Sequence, residues 1–493
     1  MKTIIRYIRL LPVVMLPLAS ACEDFLEVEQ KTQITSDNYF INEESIMESL
    51  TAAYSALGDV RLYSNHYWKQ RGLLTDHVET PETAAEFTQH YIFEFGENSG
   101  ELLGMWSSLY KGINRTNTVT SKVPEELKDQ ELMLRAQDEA RFLRALYYFH
   151  LLQMWREVPL RTPENMITFA IPKSSREEVY AFIEDDLTSI VTSNHLPEMY
   201  SNKENEEIGR ATIGAAKALL GKVYLYQKKY TEAAKFLKEV IDMPYSLVPD
   251  PEYIWHINNQ NNAIANENIF EVQFDSHVGG VNFWFDDGVQ ASEGQQRVQF
   301  LENMAGGYYN LFPTQPLIDL YQSESGDKRF KAFIRMPGDS IAWSEEVYTG
   351  LGPVIRKGIS TKPTVTGGND ENFPLIRLAD VYLMYAEALL NGAGAESDAV
   401  TYIDMVRERA FGNSFVSIAD RKTATGKPLI TLLKEERSKE LAFEAHRFND
   451  LRRWGDLETA LGDRYKARGE FYPIPVQEVD KSGGILLQDP NYN

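Results

Sequence analysis

The stretch AKALLGKVYLYQKKYTEAAKFLKEVIDMP, residues 216–244, leaves this chain few architectures to choose from. Two residues separate Leu220-Gly221 from Tyr224, Ala233 stands four positions before Leu237, and Pro244 closes the run. The pattern fits two antiparallel helices. Small Gly221 and Ala233 let the backbones approach, while Leu220, Tyr224 and Leu237 fill the seam between them. One such pair cannot bury its own apolar face, so further pairs must stack on it.

The offsets are those of a tetratricopeptide unit, Leu-Gly-x-x-Tyr, Ala-x-x-x-Phe and a terminal Pro, with Leu in place of Phe. A looser copy lies in LADVYLMYAEALLNGAGAESDAVTYIDMVRERA, where Ala386, Leu390, Ala399, Ile403 and Val406 keep the spacing and NGAG supplies the turn. Helical periodicity also runs through EESIMESLTAAYSALGDV (Ile46, Leu50, Ala53, Leu57) and DEARFLRALYYFHLLQMW (Ala140, Leu143, Leu146, Leu152). The expected fold is all-α: about four tetratricopeptide-like helix pairs assembled from segments far apart in sequence. The scaffold falls mainly in residues 41–250 and 372–460. Residues 251–371 differ in character, being rich in Gly, Asn, Asp and aromatics, with short β-like runs such as NIFEVQF. They read as a loop-rich, mostly irregular portion packed on the scaffold.

The one cysteine of the 493 residues, Cys22, sits in LLPVVMLPLASACEDFLEVEQ. Lys2, Arg6 and Arg9 form a basic start, Leu10 to Leu18 an apolar run, and Ala19, Ser20 and Ala21 lead into the thiol. This is the layout of a secretory signal, and the apolar run is too short to span a bilayer. LASAC resembles the lipobox of bacterial lipoproteins, in which the cysteine is acylated and becomes residue one. Residues 1–21 are then a signal peptide, 22–40 a lipid-anchored tether, and 41–493 the folded body. With a single cysteine, an intrachain disulfide and a cysteine-zinc cluster are excluded. The formal charge of −22 grows more negative once the signal is lost, which argues against nucleic acid and anionic lipid surfaces as partners.

No catalytic motif stands out: there is no P-loop, no His-Glu-x-x-His and no Gly-x-Ser-x-Gly. The closest histidines, His66, His77 and His90, lack metal-ligand spacing, and no metal or cofactor is expected. LLKEERSKELAFEAHRFNDLRRWGD places Glu436, Glu440 and Glu444 at i, i+4 intervals among Arg437, Arg447, Arg452 and Arg453. Carboxylates so surrounded form ion pairs, whereas glycoside hydrolysis needs two carboxyls across a bond. The aromatics, 26 Tyr, 24 Phe and 7 Trp, are the more telling excess, because several lie in polar stretches with no evident core face. In VNFWFDDG, Phe283, Trp284 and Phe285 are the first candidates for stacking on apolar sugar faces. Asn282, Asp286, Asp287 and Gln290 stand near to bond hydroxyls. Trp255, Trp343, Tyr308 and Tyr309 are similar, as are Tyr67 and Trp68 in NHYWKQRG.

Together these stretches resemble the SusD/RagB family of outer-membrane nutrient-binding lipoproteins. CEDFLE resembles the family's acylated start, MWSSLYKGINRTN its Trp-x-x-x-Tyr-x-x-Ile-x-x-x-Asn helix, and EARFLRALYYFHLLQMWREVPL its Arg-Phe-Leu-Arg-Ala element. GRATIGAAKALLGKVYLY, NFPLIRLADVYLMYAEAL, ERSKELAFEAHRFNDLRRWG and YPIPVQEVD follow in order, and LLQDPNYN resembles the usual Gln-Asn-Pro-Gly-Tyr close apart from Asp489 and Asn491. The resemblance implies a lipid-anchored protein on the outer face of the outer membrane. It would bind an oligo- or polysaccharide and deliver it to a SusC-like TonB-dependent transporter, with no enzyme activity. Family ligand residues lie on variable loops, so none carries over to a numbered position. The alternatives are a tetratricopeptide-type envelope scaffold, a binder of another nutrient such as peptide, and a lipid-tethered glycosidase.

Overall fold

The computed structural model describes residues 42–492, apart from 82–84, 129, 201–206, 263, 276–309, 342–345, 351 and 361–369. Its framework is a series of helices: α1 Glu43–Ser55, α2 Gly100–Ser121, α3 Glu131–Trp155, α4 Arg176–Ser193, α5 Ile213–Tyr226, α6 Tyr230–Ile241, α7 Leu378–Ala388 and α8 Glu396–Phe411. Each packs on the next, so the eight form four pairs in one continuous stack. Long insertions part α1 from α2 and α6 from α7. The pairs are therefore built from segments far apart in sequence, as the helical repeats require.

Local chemistry sets the helix ends. The Asn42 side chain accepts the Ser45 amide at 3.0 Å, and Thr212 caps α5 by accepting from Ala215 at 3.1 Å. Ser175 and Glu178 form a reciprocal capping box at α4, whose far end closes on left-handed Asn194. α3 is buried on nearly every side because α1, α2 and α4 all lie against it. Its Tyr147 hydroxyl donates to the Ala53 carbonyl at 2.6 Å.

The α5–α6 seam has the tightness its spacing implies. A methyl added at Gly221 would lie 2.7 Å from Leu237 Cγ. Gly221→Ala gains about 1 kcal/mol in helix propensity and loses about 1–3 kcal/mol to overpacking. The expected net loss, up to about 2 kcal/mol, would appear as a lower denaturant midpoint at unchanged slope. A variant more stable than the parent would show that the seam is loose.

A main core runs through α1 to α6 and under the insertions, and a smaller one joins α7 and α8 to α9, Leu429–Glu440. Beyond α9 comes α10, Arg447–Trp454. The loop-rich portion contains more order than its composition suggests. Two short helices, Gln315–Gln322 and Arg329–Phe333, lie within it. Its strand β1, Asn268–Val272, pairs antiparallel with β2, Phe373–Arg377. Both strands are buried throughout, Phe270 meeting Phe142 of α3 edge-on at 4.8 Å. The chain thus re-enters the framework through a strand before α7 begins.

Candidate ligand-binding site

Phe283, Trp284, Trp343, Tyr308, Asn282 and Asp287 lie outside the described residues, as do Phe285, Asp286, Gln290, Tyr309 and the anchor candidate Cys22. The three remaining aromatic candidates are placed, and each is in the core. Tyr67 and Trp68 belong to the short helix His66–Leu73 and are 6% and 5% exposed. Tyr67 packs 4.8 Å from Tyr63 and 5.0 Å from His150, while the Trp68 indole donates to the Ser64 carbonyl at 3.3 Å. Trp255, 5% exposed, meets Phe373 of β2 edge-on at 4.7 Å. All three are buried. The polar neighbours that made Tyr67 and Trp68 look like surface residues, Lys69 and Gln70, are themselves buried.

The stems of the segment carrying Trp284 are well fixed. At its start, the Phe274 amide donates to Asn372 Oδ1 at 2.9 Å, and the Phe274 ring lies against the turn at Gly58. Beneath it, Glu271 accepts from Asn268 at 2.7 Å, from Asn372 at 2.9 Å and from Gln273 at 3.2 Å. At its end, Phe312–Pro313 pairs antiparallel with Val78–Glu79, and the Thr314 hydroxyl donates to the Asp76 carbonyl at 2.6 Å. The residues flanking the segment are thus tied to the framework on both sides.

The arginine–glutamate segment is an ion-pair network in the interior. Arg377 donates to Glu267 at 2.9 Å, to Glu440 at 2.7 Å and bidentately to Glu444 at 2.9 and 2.6 Å. Arg329 joins Asp327 and Glu436, Arg407 joins Glu436 and Glu324, and Arg409 joins Glu267 and Glu440. Arg437 bridges Asp380 and Asp450, and Lys222 also reaches Asp380. Glu436 and Glu440 share α9, but the helix ends at Glu440. Glu444 sits in a turn between left-handed Phe443 (φ 66°) and Ala445 (φ 63°). The i, i+4 reading thus holds for one step only. Left-handed backbone costs a non-glycine residue about 1–3 kcal/mol, and the grip of Arg377 and Lys357 on the Glu444 carboxylate offsets it. Every carboxylate named here is held by at least one cation.

This interior sets an acid limit. Burial would raise the Glu436 carboxyl, but Arg329 and Arg407 override it and hold it at about 2. Asp380 and Glu440 are likewise held well below the usual range by their cations, against the opposing effect of burial. Burial keeps His77 and His150 neutral, each pushed down to about 3. In the unfolded chain these histidines take protons below about pH 6.5, and the carboxylates below about pH 4. Over both ranges the unfolded state binds more protons, so stability falls as pH falls. Urea midpoints are expected to drop from pH 7 to 5.5 and more steeply by pH 3.5. Equal midpoints at pH 7 and 5.5 would contradict the burial of neutral histidines.

Among the described residues no group of three or more His, Cys, Asp or Glu could hold a metal ion, and no helix is long and apolar enough to cross a membrane.

The repeat framework and loop-rich insert have close counterparts. Residues 266–471 match the family described as SusD family, and residues 24–225 match one described as starch-binding associating with outer membrane. A solved laminarin binding SusD-like protein is 30% identical, with 92% of this chain and all of that one covered, at a TM-score of 0.74. Surface glycan-binding protein A from Bacteroides fluxus is 26% identical over 92% of this chain and 100% of its own, at 0.75. Among curated relatives, SusD-like protein P25 of Formosa agariphila is 24% identical over 96% of both chains. This chain belongs to the SusD family. Members of this family are carbohydrate-binding proteins, not enzymes.

Proposed function

We propose that this chain is a lipid-anchored, surface-exposed outer-membrane protein that binds a glycan and delivers it to a SusC-like TonB-dependent transporter. The observation that carries the ligand class is the whole-length likeness, at 30% identity, to a laminarin-binding relative. The family description of starch binding and outer-membrane association supports the same reading. Laminarin and starch are therefore the first ligands to try.

In this reading residues 1–21 direct export and Cys22 carries the acyl chains. Several chains make the anchor stable, since each buried methylene adds about 0.8 kcal/mol. The glycan lies along the loop-rich portion. Phe283, Trp284, Trp343 and Tyr308 stack on its apolar faces, and Asn282 and Asp287 bond its hydroxyls. Tyr67, Trp68 and Trp255 support the framework from within.

Retardation in native gels containing laminarin or starch tests the ligand class. Unchanged mobility in every polysaccharide gel would count against it. Purification from native membranes tests the partner: a β-barrel transporter should accompany the protein, whereas an envelope scaffold would arrive without one. Incubation with the bound polysaccharide should release no reducing ends, and their appearance would revive the glycosidase.

A further inference from the structure

Along one side of α2 lies a cleft of about 440 Å3, inside the range of small-ligand sites. The two sides are set by helical spacing. Gly104 packs on Arg61, Ser108 donates to Asp59 at 3.1 Å, and Arg115 donates to the Ala52 carbonyl, all toward the turn where Phe274 lies. Trp106, Tyr110 and Ile113 fall about half a turn round the helix from these and line the cleft.

The cleft is built, not incidental. Trp106 forms its floor, held edge-on by Trp155 at 5.1 Å. One wall is the loop from Pro159 to Ile171, clamped at its base. The Tyr110 hydroxyl donates to the Pro159 carbonyl at 2.8 Å, and the Tyr148 hydroxyl donates to the Arg161 carbonyl at 2.6 Å. Arg161 itself donates to the carbonyls of Thr168 and, at 3.0 Å, Phe169. So fixed, the loop presents Ile167 and Phe169 at the lip, 93% and 82% exposed. Side chains of this kind gain by burial, yet both stand in water. Opposite them stand Glu478 and Lys481, paired with each other at 3.0 Å, and Asn114 is exposed on α2.

The geometry points to a second saccharide site in this cleft. An exposed aromatic ring over an indole floor suits the apolar faces of sugar rings. Asn114, Glu478 and Lys481 supply donors and acceptors for hydroxyls, and Arg161, which also lines the cleft, adds a guanidinium held on the Thr168 and Phe169 carbonyls. The ligand class rests on the glycan-binding reading above, whereas the position rests on the cleft alone. Beside the loop-borne aromatics proposed above, a second site would add avidity for a polymer, so that neither needs high intrinsic affinity.

The test is isothermal titration of the full-length protein in detergent with laminarihexaose and with maltohexaose, beside Phe169→Ala, Asn114→Ala and Trp284→Ala variants. Phe169 and Asn114 are exposed, so their loss should leave the fold intact. The expected result is a second, weaker site, lowered at least tenfold by Phe169→Ala and by Asn114→Ala and unaffected by Trp284→Ala. Binding at a single site insensitive to Phe169 and Asn114 would overturn the cleft site and leave glycan binding standing. Failure of the parent protein to bind either sugar would overturn both. Loss of a copurifying membrane protein in Phe169→Ala, with sugar binding unchanged, would make the lip a protein-docking surface and overturn the saccharide assignment.

Discussion

Replacing Arg377 by methionine should destabilise the protein by about 3–5 kcal/mol, the usual cost of stranding one side of a buried ion pair. The substitution preserves length and apolar stem but leaves three carboxylates, Glu267, Glu440 and Glu444, with fewer donors. All three are at most 2% exposed. It also removes the bond to the Glu440 carbonyl at 2.8 Å, and of the two cations on the Glu444 carboxylate it leaves Lys357. Arg377→Lys should lie between methionine and the parent, because an ammonium keeps the charge but cannot span three carboxylates as a planar guanidinium does. Lys128→Ala, which breaks only a solvent-exposed pair with Glu125, should change nothing measurable. Urea denaturation of the three variants reads the order. A methionine variant within 1 kcal/mol of the parent would show that the network contributes little beyond filling space.

The second large effect is on binding. Trp284→Ala should weaken affinity for the cognate glycan at least tenfold while leaving the urea midpoint unchanged. Loss of a central aromatic anchor at a binding surface commonly costs about 2 kcal/mol or more. The prediction rests on Trp284 standing between Gly279-Gly280 and Asp286-Asp287-Gly288, a sequence setting with no evident core face. A folded Trp284→Ala protein with parental affinity would remove this residue from the site. A destabilised one would place the indole in the core with Tyr67, Trp68 and Trp255.

The repeat framework was legible in the sequence because its determinants are local and periodic. Gly221, Ala233 and Leu237 mark a close helix crossing wherever they recur at those offsets, and α7–α8 keeps a looser version of it. The ion network was legible in kind, since carboxylates interleaved with arginines seek each other. Its geometry was not: the break after Glu440 depends on Arg377 and Lys357, which arrive from outside the segment.

Sidedness was the hardest property to read. Tyr67 and Trp68 sit among polar residues, and polarity usually signals a surface. Here Lys69 finds Glu101 at 2.8 Å and the whole helix goes inside. The opposite error concealed the cleft. Ile167 and Phe169 look like ordinary apolar residues between Pro163 and Pro172, and only the clamp by Arg161, Tyr110 and Tyr148 shows that they are held outward. A run of apolar residues, Met166 to Ile171 broken only by Thr168, inside a proline-bounded loop was the available signal.

The central claim, glycan binding by a SusD-family protein, is tested most directly by applying residues 23–493, which include every described residue, to an array of plant, host and microbial glycans. Laminarin and starch belong on that array. The account predicts saturable binding to one polysaccharide class, weakened by Trp284→Ala. A folded protein that binds nothing on the array, either alone or in the complex isolated from native membranes, would contradict it.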